Sequence, residues 1–256
     1  MRYLIGFAAL ALAVVGPSAR ADDKAKGQDT IDPKVVDIVK KAGALYKDAK
    51  SIHCDVALEI TVDGENQKQQ RKATGTYDIE RPNRLSLRRH GADGDKGDLH
   101  FVADGKKLFV LRPDIKQYTT DEAPDSLADI GQNLLRIRPT SGMLFQNVLA
   151  EDPADALMDG VNSCSYAGEE KVGDTPAHHM KFVQDQFSWE MWVAKEGKPL
   201  VLKMKNIREN DNGKVVAVET YSNYKIDAPI AKDVFAFTPP KDAKKVDEFP
   251  ESSERQ

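Results

Sequence analysis

The sequence has few of the residues on which enzyme and metal sites are usually built. Its 256 residues include two cysteines and five histidines, and they contain no His-Glu-x-x-His, Gly-x-Ser-x-Gly or Cys-x-x-Cys motif. The adjacent His178 and His179 lie in a strand pattern, so we expect their side chains on opposite faces of a sheet. We predict a protein that is not an enzyme and that uses no cofactor and no metal. A hydrolase based on either histidine is an alternative that would need a clustered acid and an open cleft.

The chain also lacks an excess of positive charge. It has 37 lysine and arginine residues against 41 aspartate and glutamate residues, which gives a formal net charge of -4 at pH 7. The local basic cluster of Arg84, Arg88, Arg89 and His90 fits a solvated strand edge, because lysine and arginine commonly protect sheet edges. A mildly acidic chain of mixed charge is a poor binder of nucleic acid, so no such partner is predicted.

Long apolar runs are absent except near the first residue. Tyr3 to Val15 carries no charge, Arg2 precedes it, and Ala19-Arg20-Ala21 supplies small residues for cleavage. This pattern predicts a secretory signal peptide over residues 1–21, and the apolar run is too short to span a membrane as a helix. We expect a secreted mature chain without a transmembrane segment. No cysteine lies near the cleavage point, so no lipid attachment is expected there.

The two cysteines are Cys54 and Cys164. In an oxidising compartment a pair of cysteines tends to form a disulfide, which is the prediction here. The alternative is two unpaired, buried thiols that act as small hydrophobic side chains. Both interpretations stay open, because the sequence does not show whether the two Cα atoms lie close enough to bridge.

The mature chain is predicted to be one domain with polar ends. Residues 22–30 form a polar leader that we expect to be disordered, and residues 241–256 form a charged tail. Between them, residues 31–240 have a length that suits a single domain. Asp32-Pro33 predicts the start of a helix, and the apolar residues after it recur at helical spacing as far as Tyr46.

Two strand-rich regions follow this first helix. Residues 53–63 alternate between apolar and polar, and short strands divided by Pro, Gly, Asn and Asp continue to residue 112. Five more strands are predicted between residues 161 and 227, the last two joined by the turn Asn210–Gly213. An antiparallel sheet of roughly ten strands tends to curl, because strands have a right-handed twist. The predicted fold class is therefore α+β, with helices in the concavity of the sheet.

A helical insertion separates the two strand-rich regions. Within residues 123–160, apolar side chains recur at helical spacing from Leu127 to Ile137, from Met143 to Leu149, and again after Asp152-Pro153. The apolar faces of such helices need cover, and the concave face of a curled sheet provides it. We interpret the insertion as a set of short helices that pack against this face.

Several stretches resemble the periplasmic outer-membrane lipoprotein carrier family, LolA and LolB. They are Gly75–Asn83 with its Arg-Pro-Asn end, Val102–Phe109, Lys116–Thr119 and the closing Phe235–Pro240. A closer resemblance is to uncharacterised predicted periplasmic proteins of the same fold, in which the His178-His179 strand and the Trp189–Val193 strand also look similar. The resemblance implies a periplasmic location. It also implies a half-open, incomplete β-barrel made from a curled antiparallel sheet, with an N-terminal helix and a helical lid.

The resemblance further implies a function and a set of site residues. Proteins of this fold usually hold an acyl chain in an apolar cavity, so the implied function is to bind or carry a lipid or the acyl chain of a lipoprotein. Arg81 matches the carrier arginine that tethers the lid, and its donors suit helix carbonyls or a polar ligand head. The implied ligand-binding residues are Tyr77, Ile79, Arg81, Leu87, Phe101, Phe109, Met143, Phe145, Trp189 and Met191.

A second class of function is compatible with the same residues. An envelope scaffold or protein-interaction module would fill the concavity with its own helices and bind an envelope protein through a sheet edge. Apolar stripes such as Trp189 and Met191, or Met143 and Phe145, serve equally well as ordinary core. Uptake of a fluorescent fatty acid separates the two functions, because a filled core should not bind the dye.

Overall fold

The structure is a computed structural model that describes most of the chain. It describes residues 30–64, 67–92, 98–137, 143–185, 187–210 and 213–250. The predicted signal peptide and all but the last residue of the predicted leader lie outside these ranges. Within them, no helix is long and apolar enough to cross a membrane.

The first element is an amphipathic helix, α1, which spans Pro33–Asp48. It begins where the sequence predicts. The side chain of Asp32 accepts a hydrogen bond from the backbone N–H of Lys34 at 2.9 Å, and Pro33 occupies a first-turn position that needs no backbone donor. One face of the helix is buried in the core, through Val35, Ile38, Val39, Ala42, Gly43 and Tyr46.

The first half of the sheet is an antiparallel meander in which each strand pairs with the next. Its strands are β1 (Ser51–Gly64), β2 (Gln67–Glu80), β3 (Arg84–Gly91), β4 (Leu99–Asp104), β5 (Lys107–Arg112) and β6 (Gln117–Glu122). The first five match strands predicted from alternation. The alternation alone does not predict β6, which only the family resemblance indicates as part of a hairpin.

The second half of the sheet is another antiparallel run, and it returns to the first half. Its strands are β7 (Ser163–Val172), β8 (Thr175–Val183), β9 (Ser188–Ala194), β10 (Val201–Asn210) and β11 (Gly213–Ile226). β11 pairs with β1, and a later two-residue strand, β12 (Lys244–Lys245), pairs with β6. The order across the sheet is therefore β12-β6-β5-β4-β3-β2-β1-β11-β10-β9-β8-β7. The edge strands β12 and β7 do not pair with each other in the described chain. The sheet is therefore an open half-barrel, which confirms the predicted α+β class.

Three short helices between β6 and β7 confirm the helical insertion. They are α2 (Leu127–Ile137), α3 (Met143–Val148) and α4 (Pro153–Met158). The carboxylate of Asp152 caps α4 by accepting hydrogen bonds from the backbone N–H groups of Ala154 and Asp155. Buried residues of α1, α2, α3 and α4 form one core cluster with the inward side chains of the sheet. The helices therefore occupy the concave face.

After β11, the chain crosses the convex face of the sheet. The segment of residues 227–246, which we call the strap, contains a short 3-10 helix (Lys232–Phe235) and then β12 (Lys244–Lys245). β12 pairs in parallel with β6, so the strap runs from the middle of the sheet to one edge. The fold thus continues beyond residue 240, where the sequence predicts a charged tail.

Candidate ligand cavity beneath α3 and α4

Arg81 follows β2 directly and holds the C-terminus of α1. Its Nε donates to the carbonyl of Ala49 and its Nη2 donates to the carbonyl of Tyr46, both at 3.1 Å. Carbonyls at a helix C-terminus lack intrahelical donors and carry partial negative charge. Burial lowers the pKa of the Arg81 guanidinium, which still stays charged at neutral pH. The predicted contact between this arginine and a helix is present, but the helix is α1 rather than the insertion.

The next two residues hold the start of the helical insertion. The carbonyl of Pro82 accepts a hydrogen bond from the backbone N–H of Leu127, the first residue of α2, at 3.1 Å. The Asn83 side chain donates to the carbonyls of Pro124 and Gly105, at 3.0 and 3.1 Å. Arg81, Pro82 and Asn83, which we call the Arg-Pro-Asn junction, thus join the end of α1, the start of α2 and the β4–β5 turn.

Most of the predicted ligand residues lie in the packed core. The inward, core-cluster members of the set are at most 5% exposed: Tyr77, Ile79, Leu87, Phe101, Trp189 and Met191. Phe109 lies on the convex face instead, where it stacks on Phe237 with ring centroids 4.7 Å apart. The side chains of Met143 and Phe145 lie outside the described residues. Over β2 to β4, the concavity is therefore filled by the protein's own helices.

A cavity of about 490 Å³ lies at the other half of the concave face, between α3 and α4 on one side and β9 to β11 on the other. Among the predicted residues with described side chains, Trp189 lines it. The remaining lining residues come from α3, α4 and its C-terminus, the β8–β9 turn, β10 and β11: Gln146, Asn147, Ala156, Leu157, Asp159, Gln184, Phe187, Met204, Asn206, Arg208, Val215 and Ala217.

The inner end of this cavity is apolar. Trp189 stacks flat on Phe182, with ring centroids 3.7 Å apart and an interplanar angle of 3°. Met204 and Leu157 are both nearly inaccessible to solvent. An apolar surface with a few polar groups at its border is the usual character of a small-molecule site.

Polarity rises along the inner face of β10 toward the mouth of the cavity. Met204 is buried, Asn206 is 8% exposed and Arg208 is exposed. The guanidinium carbon of Arg208 lies 5.5 Å from the ring centroid of Phe187, which also lines the cavity. The arrangement can therefore hold an apolar chain inside and a polar group at the mouth.

A buried carboxylate that sequence reasoning missed lies on the concave face of β11. Glu219 is 5% exposed and accepts a hydrogen bond from the hydroxyl of Tyr221. Two causes raise the pKa of Tyr221 and of Tyr77: burial, which is the larger, and the negative charge of Glu219. One sequence signal could have found Glu219: it alternates in phase with Ala217 and Tyr221, which places all three side chains on one face of the strand.

The adjacent histidines lie on opposite faces of β8, as their strand pattern predicts. On the concave side, Nδ1 of His178 lies 3.0 Å from the hydroxyl of Tyr166. On the convex side, His179 stacks on Trp192, and its Nε2 lies 2.6 Å from a carboxylate oxygen of Glu190. The described residues contain no group of three or more His, Cys, Asp or Glu side chains that could hold a metal ion.

The predicted disulfide is wrong, because both cysteines are free and buried. Cys54 lies on β1 and Cys164 on β7, and four strands separate β1 from β7 across the sheet. Burial raises the pKa of both thiols, so they stay protonated at neutral pH. They act as small hydrophobic side chains of the core, which is the alternative that the sequence left open.

The fold and the cavity define an open half-barrel with helices in its concavity and a ligand-sized space beneath two of them. The chain belongs to the family of predicted periplasmic proteins DUF2092, whose model matches residues 36–248. This confirms the predicted resemblance to uncharacterised periplasmic proteins.

The chain is also similar to individual proteins, at low sequence identity. An uncharacterised protein of Methanocaldococcus jannaschii is 26% identical over 212 residues, which are 81% of this chain and 52% of that protein, so the chain spans about half the length of this curated relative. The Mycobacterium tuberculosis lipoprotein LppX is 14% identical with a TM-score of 0.47, covering 79% of this chain and 100% of LppX. A LolA superfamily protein of Nitrosomonas europaea is 13% identical with a TM-score of 0.36, covering 78% of this chain and 96% of that one.

Proposed function

We propose that the protein is a periplasmic, non-catalytic binding or carrier protein for a lipid or for the acyl chain of a lipoprotein. The observation that carries the proposal is the cavity of about 490 Å³ beneath α3 and α4, with its apolar inner end and polar mouth. Sites of about 300–1,000 Å³ with this character are typical of small-molecule binding. The family description and the predicted signal peptide support the periplasmic location.

The proposed mechanism is exchange between lid and cargo. The Arg-Pro-Asn junction holds α1 and the start of α2, whereas α3 and α4 are helices of six residues each that border the cavity. Helices this short have little stability of their own and are held by packing, so a cargo that replaces this packing can displace them. Each CH₂ group of the cargo that becomes buried contributes about 0.8 kcal/mol, which favours the displaced state.

Filling the cavity from β11 tests the proposal. Ala217 lines the cavity, so Ala217→Phe should occupy the space and weaken binding of a fluorescent fatty acid by more than about tenfold, or about 1.4 kcal/mol. Val218 is the next residue and faces the other side of the sheet, so Val218→Phe is the matched control. Equal dye affinity of the two variants would contradict the assignment of the cavity.

Native mass spectrometry of the mature protein, purified from its own periplasm without detergent, tests the cargo directly. We expect bound mass that organic extraction removes, and its value identifies the cargo class. An apo mass that does not shift when lipids are added would contradict the proposal. It would favour an envelope scaffold, for which the self-filled concavity over β2 to β4 is the supporting observation.

A further inference from the structure

A residue in the cavity wall carries a buried acceptor for which the described residues provide no hydrogen-bond donor. Asn206 is more than nine-tenths buried and lines the cavity, and its Oδ1 has no hydrogen-bond partner in the described structure. Buried polar atoms are nearly always paired, because an unpaired one loses its bonds to water without compensation. A ligand that brings an N–H or O–H group to this point would therefore be preferred over one that brings an ester oxygen.

The neighbours of Asn206 along β10 set where the other parts of such a ligand lie. Met204, Asn206 and Arg208 alternate onto the same face, and alternate residues of a strand are about 7 Å apart. The hydrocarbon thus belongs at Met204 and Trp189, the donor about 7 Å further out at Asn206, and a charged group on the outer side of the donor, toward Arg208.

The charge at the mouth favours an anion at the outer position. Arg208 is held beside the ring of Phe187, and its planar guanidinium suits a carboxylate or phosphate. Asp159 also borders the cavity and is exposed at the end of α4, so its charge opposes an anionic ligand. Removing that charge should therefore strengthen anion binding.

We propose that this site selects a single-chain lipid with a neutral hydrogen-bond donor, an amide N–H or a hydroxyl, between its chain and an anionic terminus. The inference rests on the proposed function and specifies its ligand. A volume of about 490 Å³ lies in the lower part of the range of small-molecule sites, about 300–1,000 Å³, which fits one chain rather than the several chains of a diacyl lipid.

A pair of matched probes tests the donor. N-palmitoylglycine and O-palmitoylglycolic acid have the same chain and the same carboxylate, and they differ by an amide N–H against an ester oxygen. Measured by displacement of a fluorescent fatty acid at pH 8, the amide should bind about tenfold more tightly than the ester. In Asn206→Leu the ratio should fall to about one, because the acceptor is gone.

A second set of variants tests the anion. Arg208→Gln should weaken binding of N-palmitoylglycine by roughly three- to tenfold and leave its uncharged methyl ester unaffected, since only the carboxylate meets the guanidinium. Asp159→Asn should strengthen binding of N-palmitoylglycine. Lys181→Gln is the control, because Lys181 is an exposed cation on the convex side of β8 and removing it should change neither probe.

The outcomes separate the two proposals. If the wild-type protein binds the chain-bearing probes but does not distinguish amide from ester, or if Asn206→Leu keeps the preference, the inference is overturned and the proposed function stands. If the dye binds but none of the palmitoyl probes displaces it, the inference is overturned, whereas the absence of dye binding would overturn both.

Discussion

At the scale of single residues, Glu190 on the convex face of β9 shows how neighbouring charges tune one group. Its two oxygens meet different partners: Nε2 of His179 at 2.6 Å and Nζ of Lys205, which donates at 2.8 Å. Burial acts to raise the pKa of Glu190, but the hydrogen bonds from Lys205 and His179 outweigh it and lower the pKa. A carboxyl whose pKa is lower in the folded than in the unfolded state stabilises the fold above the unfolded pKa.

Glu190→Gln should therefore destabilise the protein at pH 7 and have progressively less effect in acid. The stabilisation that Glu190 provides is lost as the pH falls through its lowered pKa in the folded state, because the carboxyl is then protonated in both the folded and the unfolded protein. Urea unfolding at intervals from pH 7 to pH 3 measures this, with Glu196→Gln in the exposed β9–β10 turn as the control. A loss of stability at Glu190→Gln that is the same at every pH would contradict the argument.

The residue types of the site are more predictable than their partners. The Arg-Pro-Asn motif correctly indicates an arginine that meets helix carbonyls, but chain topology decides that the helix is α1. Trp189 and Phe109 are equally apolar in sequence, yet they lie on opposite faces of the sheet. Phe109 does not lie with the other predicted ligand-binding residues, because its ring stacks on Phe237 of the strap, which is far along the chain.

At the scale of elements, one glycine sets the distance between α1 and α4. A Cβ atom at Gly43 would lie 2.6 Å from the Cβ of Ala154 and 2.7 Å from its backbone nitrogen, which is closer than real atoms approach. α4 also borders the ligand cavity. The contact at Gly43 therefore positions one wall of the proposed site.

Gly43→Ala should push α4 away from α1 and destabilise the protein by about 1–3 kcal/mol, as overpacking does. This should occur even though alanine is the better helix former by about 1 kcal/mol. Gly131→Ala in α2 is the matched control, because its Cβ would meet Leu149 at an ordinary 3.4 Å, and it should be neutral or stabilising. Urea unfolding gives the stabilities, and hydrogen exchange in α4 should accelerate in the first variant alone.

Local signals predict helix starts well and long-range pairing poorly. The Asp-Pro pairs at the starts of α1 and α4 contain the cap and the first helical residue together, so sequence alone locates both helices. β12 is two lysines, and only its pairing with β6 makes it a strand. No periodicity exists in two residues, which explains why the sequence indicates a tail there.

At the scale of the whole molecule, the sheet has a covered region on each face. Helices fill or cover the concave side, while the strap buries apolar side chains on the convex side of β3 to β6. Phe235 is 3% exposed, and the strap carbonyl of Val234 accepts a hydrogen bond from Nη2 of Arg88 on β3 at 3.2 Å. The strap therefore stabilises strands that are remote in the sheet order from β9 and β10, two of the three strands that line the cavity.

This separation predicts that stability and ligand affinity respond to different phenylalanines. Phe235→Ala should lower the free energy of unfolding by about 3–5 kcal/mol, as expected for a buried aromatic, and leave lipid affinity unchanged in the folded protein. Phe187→Ala should change the free energy of unfolding little and weaken lipid affinity. Phe187 is only half-buried, but it lines the cavity and holds Arg208 at its mouth. Distant sites without shared partners act additively, so the double variant should show both effects in full. A change in lipid affinity caused by Phe235→Ala, measured well below its unfolding transition, would mean that the strap and the cavity are coupled through the sheet.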